Sequence, residues 1–424
     1  MLNWGVVMKK GRTRRVRCRL MKSRRAFVKI IDKSHYQLRK WLKKTANTHL
    51  ELVDFHDTGR GLMTTKPMKA ASTIISLPLN ALITTHSILE GYMGSLMKGF
   101  KRRLTPLQVL CCYLVFELHK DEDSSIQPYL NSVPLQYDNI VNWNDEDLQY
   151  LPDLAFQQAH KLINEVAQSY KDIQKFIDYV YKEDETLVNS MNYKSYLWAW
   201  STVNTRCVYM KQTDHLLLTD DENTYALAPF LDMLNHSGDV QVAAGYNESS
   251  ECYEIVTQTP IPKFTQAFIN YGPHDNVKLL LEYGFILPNN WHNHIKVSLD
   301  DILISIGNIP LKEEKISIIK DQEFHRGMVL SHEGLSWSLE VTLQIFAMDE
   351  NSLSNWNKLI MEECPVWQGM RNIEVKRLAF LLLESLENKT QSKKKLEPQN
   401  VRQTMATQLC QELSSIIQVS RNKL

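Results

Sequence analysis

The sequence lacks the cysteine patterns that mark metal and redox sites. Its seven cysteines are scattered, and no two of them form a C-x-x-C pair. This excludes the common zinc-binding spacings and a dithiol redox motif. An odd number of unspaced cysteines is typical of free thiols in a reducing compartment. We therefore expect no metal site and no disulfide framework.

A long hydrophobic run is also missing. The longest apolar stretch lies around residues 110–116, far short of the roughly 18 residues that a transmembrane helix needs. Residues 1–8 offer no adequate apolar core for a signal peptide. We therefore expect a protein without a membrane partner, located in the cytoplasm, the nucleus or both.

Net charge is nearly absent, yet the charges are unevenly distributed. The chain has 49 basic and 48 acidic residues and a formal net charge of +1, while residues 9–25 hold ten lysines and arginines and no acid. The remainder is therefore mildly acidic, which disfavours a uniformly basic nucleic-acid-binding domain. The basic arm can be a solvated tail, a nuclear-import signal or a contact with nucleic acid or chromatin. The sequence leaves these three interpretations open.

Three common catalytic motifs are missing as well. The close glycines of Gly59-Arg60-Gly61 are followed by Leu62, with no third glycine and no helix start, so they are not a dinucleotide-binding fingerprint. There is no P-loop, and no serine lies in a G-x-S-x-G context. Taken alone, the glycine pair predicts a tight turn or a close backbone approach.

The hydrophobic pattern predicts an α+β chain. Short apolar runs bounded by turn residues predict strands over 50–85 and 225–271. Apolar residues at three/four spacing predict helices, and Thr105-Pro106 is a typical helix start. We predict helices over 34–45, 105–120, 153–182, 193–210, 276–283, 337–347, 372–388 and 401–419, with Gly284 as a left-handed cap.

These elements suggest three regions. Residues 1–45 form the basic arm and a short helix. Residues 46–286 form a mostly β domain with a helical insertion at about 105–210. Residues 295–424 form an all-α C-terminal domain.

Several polar and aromatic residues are candidates for a functional site. Asp232, Asn235, His236 and Ser237 follow an apolar stretch, and buried polar groups of this kind need hydrogen-bond partners. By themselves they also fit an Asx-type turn with a surface histidine. Arg206 ends an aromatic-rich helix and either pairs with a carboxylate such as Asp232 or lies over the helix surface.

Taken together, the motifs resemble those of SET-domain methyltransferases. The matching blocks, in order, are Gly59-Arg60-Gly61-Leu62, Trp198 with Asn204-Thr205-Arg206, Asp232-x-x-Asn235-His236-Ser237, Tyr271-Gly272 and Tyr283-Gly284-Phe285. The chain is most similar to the Rubisco large-subunit methyltransferase type, which joins a split SET domain to a helical C-terminal substrate-binding domain. One block departs from the family: its turn before the Tyr-Gly strand usually contains a glycine and an acid, and this chain has Pro262-Lys263-Phe264-Thr265-Gln266.

The resemblance implies a cofactor, a substrate class and roles for individual residues. The cofactor is S-adenosyl-L-methionine, and the substrate is a lysine of a histone or non-histone protein. The implied catalytic residue is Tyr271. The implied cofactor-binding residues are Gly59, Arg60, Gly61, Arg206, Asn235, His236, Tyr271 and Phe285. The implied residues near the target side chain are Arg206, Asp232 and Tyr283. We further expect no metal, a monomer, and a chromatin contact through the basic arm.

Two other functions compete with lysine methylation. A relative in the same subclass modifies histidine, so protein-histidine methylation is an alternative. A non-catalytic interaction protein that kept the fold is another, although a binding scaffold has no need for Asn235-His236 together with Tyr271.

Overall fold

The computed structural model describes residues 27–29, 33–42, 49–188, 191–361, 373–392 and 397–424. The basic arm at 9–25 lies outside these ranges. The chain divides into two compact units, one formed by the described parts of 1–136 and 167–272, the other by 137–166 and 273–424.

Short strands in small sheets form the framework of the first unit. They are β1 (Phe27–Lys29), β2 (Leu50–Phe55), β3 (Gly59–Thr64), β4 (Ser72–Pro78), β5 (Ile83–Thr84), β6 (Cys207–Tyr209), β7 (Tyr225–Leu227), β8 (Asn235–His236), β9 (Val242–Asn247), β10 (Cys252–Thr257) and β11 (Phe268–Ile269). Three antiparallel sheets have the strand orders β1-β2-β3, β4-β10-β9 and β5-β7-β6, and β8 pairs with β11 in parallel.

A bulge interrupts the pairing of β4 with β10, and adjacent side chains of β4 are buried there. In β4 the side chains of Ile74, Ile75 and Leu77 are buried, and the register against β10 shifts between Ile255 and Val256, which marks a bulge. The β2–β3 hairpin pairs Leu50 with Thr64 and Phe55 with Gly59. This register places the first residues of β3 at the tip of the hairpin.

Helices of the first unit are inserted mainly between β5 and β6. The helices up to β6 are α1 (Lys33–Leu42), α2 (Thr85–Leu89), α3 (Tyr92–Phe100), α4 (Pro106–His119), α5 (Gln127–Leu130), α6 (Asp145–Leu148), α7 (Asp153–Asp172), α8 (Gln174–Glu183), α9 (Glu185–Val188) and α10 (Tyr193–Arg206). Of these, α6 and the part of α7 up to residue 166 belong to the second unit. Helix α4 begins as predicted, because Thr105 and Gln108 form a reciprocal capping box. It is buried on most sides and packs with α10.

The second unit is mainly helical. After α6 and the start of α7 it contains α11 (Asn276–Lys278), α12 (Leu299–Ile306), α13 (Lys312–Asp321), α14 (Trp337–Ala347), α15 (Glu350–Leu353), α16 (Trp356–Met361), α17 (Ile373–Thr390) and α18 (Val401–Lys423). A π-helical turn, Leu279–Tyr283, follows α11 and ends at Gly284 with φ 83°. The predicted left-handed cap at Gly284 is thus confirmed.

The α+β class and the helical C-terminal region are confirmed, while several details differ from prediction. The single helix predicted over 153–182 is divided at Ile173 into α7 and α8. Helix α10 stops at Arg206, and Cys207–Tyr209 form β6 instead of a further helical turn, because this segment pairs with β7. The region after 295 also contains a small antiparallel sheet of β12 (His294–Lys296), β13 (Val329–Ser331) and β14 (Gly334–Leu335). The predicted domain limits remain a prediction. Among the described helices, none is both long and apolar enough to cross a membrane.

Candidate active site

The start of β3 passes very close to two other segments. Gly59 has φ 64°, and a Cβ atom added at Gly61 would lie 2.6 Å from Nε2 of Gln266 and 2.8 Å from Nδ2 of Asn235. Real Cβ atoms do not approach heavy atoms this closely, so a side chain at position 61 would have to displace these two amide groups. The glycine pair therefore provides both a turn and a close backbone approach, as the sequence predicts.

Side-chain amides hold this glycine loop in place. Nδ2 of Asn235 donates to the carbonyl oxygens of Arg60 at 3.1 Å and Thr58 at 3.3 Å. Oε1 of Gln266 accepts from the Thr58 hydroxyl at 2.8 Å. Residues of β8 and of the segment before β11 therefore hold the glycine loop in place. Asn235 is 175 positions away from Arg60 along the chain.

Parallel pairing of β8 with β11 brings the Asn-His block beside the Tyr-Gly block. Asn235 is opposite Phe268, His236 is opposite Ile269, and the Ser237 N–H donates to the Ile269 carbonyl at 3.0 Å. Two residues beyond β11, the backbone N–H of Tyr271 donates to Nδ1 of His236 at 3.1 Å. The two rings stack at 5.0 Å between centroids. Because Nδ1 accepts, the proton of the neutral imidazole is placed on Nε2.

The hydroxyl of Tyr271 is also fixed. It donates to the Leu234 carbonyl at 2.8 Å, so toward any further polar group the phenol oxygen can act only as an acceptor. Burial raises the pKa of Tyr271 to about 12, with Arg206 opposing the rise and Asp232 adding to it. At neutral pH the side chain is therefore a neutral phenol.

Arg206 and Asp232 form a buried ion pair. Nη1 of Arg206, at the end of α10, lies 3.3 Å from Oδ2 of Asp232 and donates to its main-chain carbonyl at 3.2 Å. The Asp232 side chain is fully buried and that of Arg206 is 14% exposed. Burial raises the pKa of Asp232, and Arg206, the Tyr129 hydroxyl and Arg60 oppose this. The structure thus pairs the arginine with the carboxylate that the sequence suggested.

A strained turn carries Asp232. Phe230 adopts φ 73°, and the turn Leu231–Met233 follows directly. Phe230 is buried and stacks on His35 at 5.9 Å between ring centroids. A bulky residue at positive φ persists when its surroundings determine it strongly. Packing on Phe230 therefore holds the backbone of the turn that carries Asp232.

Tyr283 and Phe285 lie in the second compact unit. Tyr283 ends the π-helical turn, stacks with His274 at 5.9 Å between centroids, and meets the ring of Phe285 edge-on at 6.3 Å. Their predicted roles near the target side chain and the cofactor remain predictions. The other eight predicted site residues all lie in the first unit. They are Gly59, Arg60, Gly61, Arg206, Asp232, Asn235, His236 and Tyr271.

Two further residues belong to the site, and the sequence assigned no role to either. Tyr129 in α5 donates through its hydroxyl to Oδ2 of Asp232 at 2.8 Å, and Gln266 contacts the glycine loop as described. Gln266 ends the block Pro262–Gln266 that departs from the family pattern. The partners of both residues are distant in sequence, and no local pattern predicts such pairings.

The arrangement combines a glycine cradle, a neutral phenol and a buried arginine–carboxylate pair. Within the described ranges, no group of three or more His, Cys, Asp or Glu side chains could hold a metal ion. The family model for the SET domain matches residues 59–272, which include all of these features.

This chain belongs to the SET-domain family. It is 36% identical over 364 residues to SET domain-containing protein 4 of Mus musculus, covering 84% of this chain and 82% of that protein. A more distant SET-domain relative is the actin-histidine N-methyltransferase of Xenopus tropicalis, 27% identical over 333 residues, with 75% of this chain and 54% of that protein covered.

A solved SET-domain structure has the same fold over most of the length of this chain. The SET domain of LSMT, bound to lysine and AdoHcy, matches with a TM-score of 0.63 at 16% identity and covers 93% of this chain and 91% of that one. At this identity the likeness concerns the fold. It agrees with the predicted combination of a SET domain and a helical C-terminal region.

Proposed function

We propose that this protein is a protein-lysine N-methyltransferase that uses S-adenosyl-L-methionine and acts on a histone or non-histone protein. The observation that carries the proposal is the convergence of Gly61, Asn235, His236 and Tyr271 in one place, through the β8–β11 pairing and the amide bonds to the glycine loop. Membership of the SET-domain family and the fold shared with a lysine-bound, AdoHcy-bound methyltransferase support it.

The first-unit residues fit a nucleoside cofactor that approaches the main chain closely. The main chain at Gly61 lies so close to the amides of Gln266 and Asn235 that a Cβ atom there would displace them, and Asn235 fixes the carbonyl groups of the glycine loop. We assign cofactor binding to Gly59, Arg60, Gly61, Arg206, Asn235, His236 and Tyr271, and by the family resemblance to Phe285.

The cofactor, when bound, supplies a methyl group on a positively charged sulfonium. The protein has to orient the target amine and keep it unprotonated, because a lysine with an ordinary pKa of about 10.4 is mostly charged at neutral pH. A partly buried site disfavours the ammonium form, so the proton leaves to solvent before displacement. The phenol oxygen of Tyr271 then accepts an amine N–H, since its own proton is directed to the Leu234 carbonyl.

Asp232 and Arg206 are assigned to the surroundings of the target side chain, together with Tyr283 by resemblance. Oδ2 of Asp232 is occupied by Arg206 and Tyr129. Oδ1 is buried and has no hydrogen-bond donor among the described residues. A buried acceptor of this kind is costly unless a ligand or water donates to it, which suits an incoming amine or ammonium group.

The direct test is transfer of a labelled methyl group from S-adenosylmethionine to proteins of a nuclear extract, with mass spectrometry of the modified residue. Tyr271→Phe removes only the phenol oxygen, and we expect the rate to fall about a hundredfold, with a much smaller effect on cofactor binding because the ring and the backbone N–H bonded to His236 remain. Tyr253→Phe is the matched control, because Tyr253 is 3% exposed and lies on β10 away from these contacts. Full activity of Tyr271→Phe, or no labelled protein with the wild type, contradicts the proposal.

Histidine methylation is the second candidate, and the similarity to actin-histidine N-methyltransferase favours it. The same labelling experiment separates the two, because a labelled lysine supports the proposal and a labelled histidine replaces it. A non-catalytic interaction protein is the third outcome. It is indicated if calorimetry with S-adenosylmethionine gives no heat of binding.

Location and further partners follow from the sequence alone. We propose a cytoplasmic and nuclear monomer whose basic arm at 9–25 serves in nuclear import or contacts chromatin. A fluorescent reporter fused to residues 1–30 tests import, since a diffuse signal rejects that role. Sedimentation of the purified protein tests the monomeric state.

A further inference from the structure

One short segment of the helical insertion holds two separate parts of the site. Residues 129–132, here called the Tyr129 turn, lie at the end of α5 in the first unit. The Tyr129 hydroxyl donates to Oδ2 of Asp232 at 2.8 Å. Nη2 of Arg60, in the glycine loop, donates to the Ser132 carbonyl at 2.8 Å. The Ser132 hydroxyl closes the turn by donating to the Tyr129 carbonyl at 2.6 Å.

Tyr129 cannot easily reorient. It is fully buried, and a buried tyrosine keeps its hydroxyl where a partner accepts. Its partner, Asp232, is fully buried too. A hydrogen bond to a charged acceptor in such a place is stronger than one between neutral groups.

We propose that Tyr129 is a positioning residue that holds Asp232 as an oriented carboxylate opposite Arg206. This inference rests on the proposed methyltransferase function. Tyr129 and Arg206 both donate to Oδ2, so the carboxylate is held through one oxygen, while Oδ1 is buried without a donor among the described residues. Without the phenol donor, one hydrogen bond fewer holds that orientation.

The charged and titratable groups facing Asp232 set the expected pH behaviour. They are Arg206 on α10, Arg60 on β3, Tyr271 beyond β11 and Tyr129 on α5. Burial raises the pKa of Asp232, while the hydrogen bond from Tyr129 lowers it. Loss of that bond therefore raises the pKa further. Because the ionised carboxylate is the form that pairs with Arg206, activity is then lost at a higher pH as the solution is acidified.

The test compares Tyr129→Phe with Tyr196→Phe. Tyr196 is equally buried, and its hydroxyl is bonded to Ser169 at 2.7 Å, away from the site. We expect kcat/KM for methyl transfer to fall about tenfold in Tyr129→Phe at neutral pH, and the acidic limb of its pH–rate profile to move to higher pH. Tyr196→Phe should leave that limb unchanged. Equal profiles for the two variants overturn the proposal.

A second measurement separates this inference from the proposed function. Urea unfolding gives the cost of each substitution at about pH 8 and about pH 5 without any substrate. The cost of Tyr129→Phe should shrink as pH falls, because a protonated carboxyl is a weaker acceptor, while the cost of Tyr196→Phe should stay constant. If the wild type transfers no methyl group but this difference appears, the Tyr129–Asp232 coupling stands and the proposed function fails. A pH-independent cost for both variants overturns the coupling.

Discussion

The backbone N–H of Tyr271 is hydrogen-bonded to Nδ1 of His236 at 3.1 Å, and the two rings stack. His236 thus acts on the tyrosine through the main chain rather than through the phenol. The Tyr271 N–H needs a hydrogen-bond acceptor at this point, and Nδ1 of His236 provides it. The orientation of the Tyr271 hydroxyl depends on this bond and on the Leu234 carbonyl.

His236→Asn and His236→Gln should therefore differ. An asparagine can place its amide oxygen near the position of Nδ1, whereas a glutamine reaches the position of Nε2. We expect His236→Asn to retain about tenfold more methyl-transfer activity than His236→Gln, a difference of about one neutral hydrogen bond. Initial rates at saturating cofactor measure this, with circular dichroism as the folding control. Equal losses in both variants would show that the bond does not position Tyr271.

Gly61→Ala should weaken cofactor binding. The added methyl group would lie within 2.8 Å of the amide nitrogens of Gln266 and Asn235, so the groups that hold the glycine loop have to move. Overpacking of this kind costs about 1–3 kcal/mol, and we expect the Kd for S-adenosylmethionine to rise about tenfold. Calorimetry measures the Kd directly.

The matched control for this change is Gly245→Ala. Gly245 lies in β9, and an added Cβ atom there meets nothing within 4 Å. Its substitution should leave the Kd unchanged. A Kd that is also unchanged in Gly61→Ala would mean that the loop does not form the cofactor cradle.

The ion pair between Arg206 and Asp232 predicts a pH-dependent stability effect. Removing one member of a buried pair commonly destabilises a protein by about 3–5 kcal/mol. In Arg206→Met the pKa of Asp232 rises further above its ordinary value, because the guanidinium that lowered it is gone. A raised pKa in the folded state favours folding below that pKa and loses this contribution as pH rises through it. The deficit of Arg206→Met relative to wild type should thus be large at neutral pH and smaller in acid.

Urea unfolding at about pH 5 and about pH 8 checks this dependence. Arg103→Met is a suitable control, since Arg103 pairs with Asp220 at 2.8 Å on the surface, where the aspartate is 96% exposed. Exposed pairs contribute little to stability, so this variant should unfold like wild type at both values. A pH-independent deficit in Arg206→Met would contradict the assignment of the pair.

The turn before β11 offers a test of backbone strain. Phe264 has φ 65°, in the segment where the family usually has a glycine, and its N–H donates to the Thr64 carbonyl at 2.9 Å. A positive φ is tolerated by glycine and is strongly disfavoured by β-branched residues. We expect Phe264→Gly to unfold within about 1 kcal/mol of wild type and Phe264→Val to lose about 1–3 kcal/mol. Thermal unfolding distinguishes them, and equal stabilities would contradict the strained geometry.

The sequence predicts features that depend on neighbouring residues, and it does not predict contacts between residues that are far apart in the chain. The cap at Thr105 and the limits of Trp337–Ala347 follow from neighbouring residues, and both predictions are confirmed. The strand Cys207–Tyr209 was predicted as helix, because its pairing with β7 involves residues 16 or more positions away. The bond from Tyr129 to Asp232 spans 103 residues, so periodicity and capping rules contain no information about it.

Gly284 was predicted as a left-handed helix cap, and its environment gives a second reason for glycine. Its φ is 83°, and an added Cβ atom would lie 2.5 Å from the carbonyl carbon of Asp138 and 2.6 Å from the nitrogen of Asn139. Both contacts are main-chain atoms of the same compact unit, so a side chain cannot be accommodated by a rotamer change. Gly284→Ala should therefore combine the cost of positive φ with a displacement of the backbone.

Gly327→Ala separates these two costs. Gly327 has φ 71°, and an added Cβ atom there meets nothing within 4 Å, so its substitution carries the conformational cost of positive φ alone, about 1 kcal/mol. For Gly284→Ala we expect about 3 kcal/mol or more, because overpacking adds to that cost. Urea unfolding of the two variants gives the difference. If both lose the same free energy, the close approach of residues 138–139 to Gly284 does not constrain this turn, and the positive φ alone explains the glycine.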